Sequence, residues 1–131
     1  MPHAVDIEDA KAIHRESIDR FGGSHGVRDD GLLDSALSSP MQSAFGQDIY
    51  RDDFAKAARL CFEVVSQHPF VDGNKRAAAL LSAAFLMSRG HEFDPDDSRY
   101  LDAVLGAASG TLGYGGLLTF FRENQVQRCL G

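Results

Sequence analysis

The sequence predicts an all-α fold, a compact single-domain bundle of about six helices. Apolar residues recur at intervals of three and four along most of the 131 residues, which is the spacing of one face of a helix. No segment shows sustained alternation of apolar and polar residues, although the sequence leaves room for a short hairpin around residues 43–50. The length predicts one domain over residues 1–131 that buries a core without staples.

Three helices are predicted in the N-terminal half. The first begins after Asp6, a suitable N-cap, and ends at the glycine pair 22–23. The second starts after Asp29-Asp30 and ends at about residue 38, because a helix cannot easily continue through Pro40, which lacks a backbone N–H. The third covers about residues 52–67. One face of the first helix is expected to pack inward; it consists of Ile7, Ala10, His14 and Phe21, with Ile18 beside it. His14 is expected to be a hydrogen-bonded core residue.

Three more helices are predicted in the C-terminal half. The fourth runs from near Gly73 to a basic turn and glycine at residues 89–90 and contains the longest apolar run, AAALLSAAFLM. This run has eleven residues, whereas a membrane span needs about 20, so it is expected to be a buried central helix. Asp94-Pro95 is expected to cap and open the fifth helix, and the sixth covers about residues 114–125.

The composition indicates a protein with no nucleic-acid surface and no membrane segment. The formal net charge is -6, whereas proteins that bind nucleic acid usually present a basic face. The N-terminus lacks an apolar signal core, so a cytoplasmic location is expected. Cys61 lies among apolar residues and is expected to be buried, and Cys129 lies in the tail. Two unpaired cysteines fit a reducing compartment, and no cluster has the ligand spacing of zinc.

The stretch HPFVDGNKR, residues 68–76, carries the polar chemistry of the chain. His68 should end the third helix and Gly73 should open the fourth, so the imidazole and a helix N-terminus face the same small space. A helix N-terminus binds anions, and glycine lets a ligand approach the backbone closely. Asn74 adds an amide, and Lys75 and Arg76 add positive charge that opposes the helix dipole unless an anion is bound. The pattern predicts a polyphosphate site.

Two further residues of this stretch suit phosphate chemistry. A carboxylate beside phosphate is typical of Mg²⁺ sites, which makes Asp72 the candidate metal ligand. Histidine has an ordinary pKa near 6.5, so His68 is the candidate general base for phosphoryl or nucleotidyl transfer. Phe70 is expected to enter the core and hold the loop. Each residue also has an ordinary interpretation, such as an N-cap for Asp72, but their combination at this spacing favours a functional site.

The stretch resembles the core motif of the Fic/Doc family, H-x-F-x-[D/E]-G-N-G-R-x-x-R. Lys75 replaces the second motif glycine, as in the death-on-curing (Doc) branch. Three other segments also resemble that branch: RFGGSHGVRDDGLLDSAL at residues 20–37, the FGQD that follows, and SGTLGYGGLLTFF at residues 109–121. The resemblance therefore extends over nearly the whole chain.

The resemblance implies a helical bacterial toxin of a type II toxin-antitoxin system, paired with a cognate antitoxin. Doc toxins transfer the γ-phosphate of ATP to a threonine of a translation elongation factor and so stop translation, whereas Fic relatives transfer AMP. The resemblance also implies that His68 is the general base and that Asp72 is the Mg²⁺ ligand. It also implies that Gly73 and Asn74 form the anion-binding turn and that Lys75 and Arg76 contact phosphates.

Two departures from the motif bear on the reaction. The last motif arginine corresponds to Ala79, and an asparagine of some Doc members corresponds to Leu80. The missing arginine and the bulk of Lys75 argue against AMP transfer. AMP transfer and a non-catalytic nucleotide-binding or interaction module remain the alternatives. TFFREN, residues 119–124, fits a short inhibitory pattern of Fic proteins, but its glutamate would lack the arginine partner. Control by a separate antitoxin is therefore expected, with residues 41–50 as one wall of its groove.

Overall fold

The computed structural model describes residues 2–126. Within that range it contains six α-helices, so the all-α prediction is confirmed. They are α1 (Ile7–Phe21), α2 (Asp30–Ser38), α3 (Asp53–Gln67), α4 (Asn74–Ser88), α5 (Asp97–Ser109) and α6 (Tyr114–Glu123). A short 3₁₀ turn, Ser39–Met41, follows α2. The short hairpin that the sequence allowed around residues 43–50 is present, formed by β1 (Ser43–Ala44) and β2 (Gln47–Asp48).

Helix α3 is the centre of the molecule. It packs against α2, α4, α5 and α6, and its apolar positions repeat at intervals of three and four, as expected of a helix surrounded by neighbours. Five of its side chains have no exposed surface: Ala57, Ala58, Leu60, Cys61 and Val64. Helix α4 buries alanines in the same way, and small side chains let the two helices approach closely. Burial raises the pKa of the Cys61 thiol to about 12, while Cys129 lies outside the described residues.

The two central helices, α3 and α4, are joined by the loop of residues 68–73, which carries part of the predicted site. Each of α3 and α4 has 15 residues, and no helix within residues 2–126 is long and apolar enough to cross a bilayer. Phe70, in the loop that joins the two helices, is fully buried in the core. The expectation that this ring fixes the loop to the core is therefore confirmed.

Aspartates begin four of the helices. The carboxylates of Asp6, Asp29 and Asp52 accept hydrogen bonds from the amides at the start of α1, α2 and α3. The prediction that Asp94 caps α5 is wrong: Asp96 is the N-cap, and its carboxylate accepts a hydrogen bond from the Arg99 amide at 3.1 Å. Helix α5 therefore starts two residues later than expected, and Pro95 lies before the cap instead of in the first turn.

A contact between distant residues explains this shift. Phe93 pairs with Gln125 in an isolated antiparallel bridge, and the Val126 amide donates to the Glu92 carbonyl at 3.0 Å. The chain before α5 is consequently held extended. The same pairing ends α6 at Glu123, slightly earlier than the predicted end near residue 125.

Phe21 is the exception on the predicted inner face of α1. Ala10, His14 and Ile18 are buried as expected, but Phe21 is 52% exposed. The last turn of α1 reaches beyond the core, and the Phe21 ring lies instead under the guanidinium of Arg76, 3.9 Å from its centroid.

A buried lysine attaches the hairpin to α3. The ammonium group of Lys56, only 3% exposed, donates to the Asp48 carboxylate at 3.1 Å and to the Tyr50 carbonyl. A buried ammonium is tolerated because both acceptors satisfy it. The turn between β1 and β2 presents Phe45 fully to solvent, with Ile49 half-exposed beside it.

Candidate functional site

The loop of residues 68–73 and the first turn of α4 line one open cavity of about 520 Å³. All six predicted site residues lie on its wall: His68, Asp72, Gly73, Asn74, Lys75 and Arg76. Three apolar side chains complete the lining: Val71 from the loop and Leu101 and Leu105 from α5. A polar, largely basic side therefore faces an apolar side across a space that can hold a small ligand.

His68 is at the C-terminal end of α3, as predicted. Its backbone is left-handed, with φ 51° and ψ 58°, and its amide donates to the Val64 carbonyl at 3.2 Å. The side chain is exposed at the cavity, and no residue within 2–126 forms a hydrogen bond with the imidazole. The ring is therefore available to a ligand.

Asp72 is held by two backbone amides. The Gly73 amide donates to Oδ1 at 2.8 Å and the Ser24 amide donates to Oδ2 at 3.0 Å. These bonds, first that of Ser24 and then that of Gly73, lower the pKa of Asp72 below its ordinary value, although partial desolvation opposes them. The carboxylate is thus ionised at neutral pH, and each oxygen keeps a lone pair for another ligand.

This arrangement fits a single-carboxylate Mg²⁺ site. Magnesium is usually held by one or two carboxylates, with water and phosphate oxygens completing the octahedron. Among residues 2–126, no group of three His, Cys, Asp or Glu side chains could enclose a metal ion. A metal ion bound by Asp72 would therefore take its other ligands from water and from a bound phosphate.

Gly73 is required where the loop enters α4. Its φ is 71°, and a Cβ added there would lie 2.9 Å from Ile18 Cδ1. Gly23, with φ 115°, is equally constrained, because a Cβ there would lie 2.8 Å from Asp72 Oδ2. Both glycines allow the α1–α2 segment and the loop to pack closely.

The side chain of Asn74 closes the loop. Its Oδ1 accepts from the Phe70 amide at 3.0 Å, and its Nδ2 donates to the Phe70 carbonyl, also at 3.0 Å. Sequence reasoning counted this amide as a donor for the anion, but both of its groups are already paired within the loop. Asn74 therefore shapes the turn, and the second Nδ2 hydrogen and the backbone N–H at the start of α4 are still free to bind a ligand.

The first turn of α4 is electropositive. Lys75 is exposed and Arg76 is half-buried against Phe21. The helix has no acidic residue in its first turn, and its N-cap, Gly73, has no side chain to cap it. Free N–H groups, the helix dipole and two cations thus act together on the cavity.

The two positions that depart from the motif lie elsewhere. Ala79 is 5% exposed, and its carbonyl accepts a hydrogen bond from the buried Tyr100 hydroxyl, so this position faces the core. Leu80 lies in a second groove, between α1 and α4, and not on the cavity wall. Glu123, the glutamate of the TFFREN pattern, is exposed and is likewise not on the cavity wall.

Sequence reasoning missed three residues that support the loop from outside. The Arg28 guanidinium donates to the carbonyls of Gln67 and His68, and the Ser24 amide holds Asp72. His14 is a hydrogen-bonded core residue, as predicted, but its Nε2 donates at 2.8 Å to the Asp72 carbonyl and its ring stacks on Phe70. For Ser24 and Arg28 the only signal was the resemblance of the segment 20–37 to a known family, and for His14 it was the position on an apolar helix face.

Fold and site together define a helical protein with a histidine, a carboxylate and a basic helix N-terminus arranged around a cavity of about 520 Å³. Comparisons with known proteins agree. Residues 4–86 match the model of the Fic/DOC family. The chain is 31% identical over 109 residues to "Protein kinase doc" of Escherichia phage P1, covering 82% of this chain and 84% of the phage protein.

A second relative is "Toxin Doc" of Mycolicibacterium smegmatis, 41% identical over 76 residues. That match covers 58% of this chain and 58% of the relative, a little over half of its length. The protein belongs to the Fic/DOC family, in its death-on-curing branch.

Proposed function

We propose that the protein is the toxin of a type II toxin-antitoxin system and a protein kinase. It transfers the γ-phosphate of ATP to a threonine of a translation elongation factor in the cytoplasm. The observation that carries the proposal is the meeting of His68, Asp72 and the basic first turn of α4 on one cavity wall. The relative named as a toxin supports the first part of the proposal, and the relative named as a protein kinase supports the second.

The phosphates of ATP bind at the start of α4. The backbone N–H groups of residues 74–76 have no acceptor within the helix, and they point towards the N-terminal end. Lys75 and Arg76 supply formal charge, and arginine can form two parallel hydrogen bonds with a phosphate. The apolar wall of Leu101 and Leu105 leaves room for a less polar part of the ligands. Asp72 is the residue that would hold Mg²⁺, which when bound neutralises phosphate charge.

His68 acts as general base. The imidazole removes the proton of the threonine hydroxyl while the hydroxyl oxygen bonds to the γ-phosphorus. The bond between this phosphorus and the bridging β–γ oxygen breaks, and ADP leaves with the electron pair. Most of the rate gain in such a reaction comes from positioning and charge stabilisation, which suits a site made largely of a rigid loop and a helix end.

The surroundings of Ala79 favour γ-transfer over AMP transfer. An arginine at this position would hold the distal phosphate in the AMP-transfer orientation, but here the position is buried against Tyr100. Lys75 adds a long cationic side chain at the anion turn. Both features disfavour the orientation that exposes the α-phosphate to attack.

Label transfer tests the proposal. The protein is incubated with purified elongation factor, or with lysate, and either γ-labelled or α-labelled ATP. Retention of the γ-label on a protein is the expected result, and His68→Ala should reduce it by about 10²- to 10⁴-fold. Retention of the α-label would instead establish AMP transfer. Nucleotide binding without either label would establish the non-catalytic module.

The antitoxin partner is proposed to bind as an amphipathic helix. Such a helix needs an elongated groove that accepts several apolar side chains on one of its faces. The segment 41–50, one candidate wall named from the sequence, offers Phe45 and Ile49. The groove between α1 and α4 offers more apolar side chains: Ile13, Phe21, Leu80 and Met87. The α1–α4 groove is therefore the better fit.

Growth assays test this partner. Expression of the chain alone should stop growth, and co-expression of the neighbouring small reading frame should restore it. Met87→Asp should weaken this rescue, while Phe45→Ser serves as the comparison at the hairpin. Loss of rescue in the hairpin variant alone would favour the hairpin wall instead. Harmless expression of the unmodified protein would contradict the toxin proposal.

A further inference from the structure

Arg28, in the segment between α1 and α2, contacts three consecutive carbonyl groups at the end of α3. Its guanidinium donates from Nη2 to the Gln67 carbonyl at 2.6 Å and from Nε to the His68 carbonyl at 2.7 Å. Its own amide donates to the Pro69 carbonyl at 2.7 Å. The last carbonyls of a helix have no intrahelical donor, and a cation is favoured at this negative end of the dipole.

His68 needs such support because its backbone is strained. A residue with φ 51° and ψ 58° at the end of a helix is usually glycine, since a Cβ in the left-handed region meets the following carbonyl oxygen. Within residues 2–126, Phe45 at the hairpin tip is the only other non-glycine residue with positive φ. Strain of this kind persists where surrounding contacts outweigh it.

We propose that Arg28 is a positioning residue that holds the backbone of His68 left-handed and thereby aims the imidazole into the cavity. The inference rests on the proposed role of His68 as general base. The Cα–Cβ direction of His68 depends on its φ and ψ, so a return to the right-handed region would turn the ring away from Asp72 and the α4 N-terminus. Arg28 thus acts on the reaction through His68.

The segment that carries Arg28 has independent attachments. Val27 and Phe70 form an antiparallel bridge, and the Val71 amide donates to the Gly26 carbonyl at 3.0 Å. The Arg28 side chain itself is exposed. Loss of the guanidinium therefore leaves the backbone pairing and the core in place, and Arg28→Ala is expected to fold.

The rate of γ-label transfer is the first readout. Arg28→Ala should lower kcat by about 10- to 100-fold, the effect of misplacing a reacting group by an ångström, while KM for ATP stays near that of the unmodified protein. Arg28→Lys, which can reach one carbonyl at a time, should recover part of the rate. Asp29→Ala is the matched control: it removes the side-chain cap of the same segment, a bond of 2.9 Å to the Leu32 amide, and should keep the rate.

A double variant separates positioning from general structural damage. If Arg28 acts through His68, adding Arg28→Ala to His68→Ala should cause no further loss, because the group it positions is already gone. An equal loss in both backgrounds would overturn the inference. Full activity of Arg28→Ala beside an inactive His68→Ala would overturn it as well, and would leave the proposed function intact. Full activity of His68→Ala would overturn the proposed function.

Amide hydrogen exchange gives a readout that needs no activity. The His68 amide donates to Val64 in the last turn of α3, so a released end should exchange faster. We expect faster exchange at His68 in Arg28→Ala than in Asp29→Ala. The same rate in both variants would show that the guanidinium does not hold this turn.

Discussion

Lys75 and Arg76 place two positive charges where a helix normally carries negative ones. Helices α1, α2, α3 and α5 each have an acidic residue in the first turn, whereas α4 has two cations and no capping side chain. Cations at a helix N-terminus oppose its dipole. If these residues are present to bind phosphate, removing either should spare the free protein and weaken only the complex with nucleotide.

The magnitudes follow from the contacts. Lys75→Ala removes an unfavourable dipole interaction of about 0.3–1 kcal/mol at low ionic strength, so the free protein should become more stable by that amount. Arg76→Ala gains the same relief but loses the cation–π contact with Phe21, worth about 0.5–1 kcal/mol at an exposed site. Its net effect on the free protein should therefore be near zero.

Urea unfolding at low salt, with and without MgATP, measures both effects. At a ligand concentration 100 times Kd, binding adds about 2.7 kcal/mol to the free energy of unfolding, and a ten-fold weaker affinity reduces this gain to about 1.4 kcal/mol. Arg99→Ala is the matched control, because Arg99 is an exposed cation in the first turn of α5 and does not line the cavity. It should relieve the dipole conflict yet keep the full gain from MgATP.

Two results would refute this reasoning. The first is a fall of more than about 1 kcal/mol in the unfolding free energy of ligand-free Lys75→Ala. Because removal of a cation from a helix N-terminus should raise this free energy, such a fall would mean that the lysine stabilises the fold. A gain from MgATP in Lys75→Ala and Arg76→Ala equal to that in Arg99→Ala would mean that neither residue contacts the phosphates.

Three further predictions concern the loop itself. His14→Ala leaves the Asp72 carbonyl without its donor and should cost about 1–3 kcal/mol in urea unfolding, and His14→Gln, which restores an N–H, should recover part of this and of the transfer rate. Gly73→Ala should destabilise the protein by about 1–3 kcal/mol, because φ is 71° there and Ile18 is in the way. The pKa of Asp72 is lowered in the folded state. Its contribution to stability is therefore present above the pKa of the unfolded carboxyl and is lost as pH falls through the lower folded value. Asp72→Asn should consequently flatten the dependence of the unfolding free energy on pH below about pH 4.

The helices could be predicted because their signals are local. Periodicity and caps lie within a few residues of each helix, and α1 to α4 begin and end within one or two residues of the predicted positions. The predicted start of α5 was wrong because Asp96, two residues after Asp94, caps the helix instead. The chain before this cap is held by the pairing of Phe93 with Gln125, 32 residues further along the chain, and periodicity carries no information about such a contact.

The candidate site divides in the same way. Its six predicted residues are nearly contiguous, so one stretch of sequence predicted their meeting on one wall. Leu101 and Leu105 of the opposite wall have the pattern of ordinary helix residues, and nothing local distinguishes them from core positions. Arg28 is 40 residues from His68, and an arginine in a glycine-containing turn is typical of a solvated loop.

The motif alone does not determine the shape of the loop. Within the described residues, Arg28 holds the carbonyls before the turn, Ser24 holds the Asp72 carboxylate, and His14 holds the Asp72 carbonyl. All three belong to α1 or to the segment that follows it. Because these bonds fix the His68 backbone at one end and Asp72 at the other, residues outside the motif help to set the relative position of the imidazole and the carboxylate. The α3–loop–α4 hairpin without residues 2–29 would keep every motif residue but would lose all four of these hydrogen bonds to the loop.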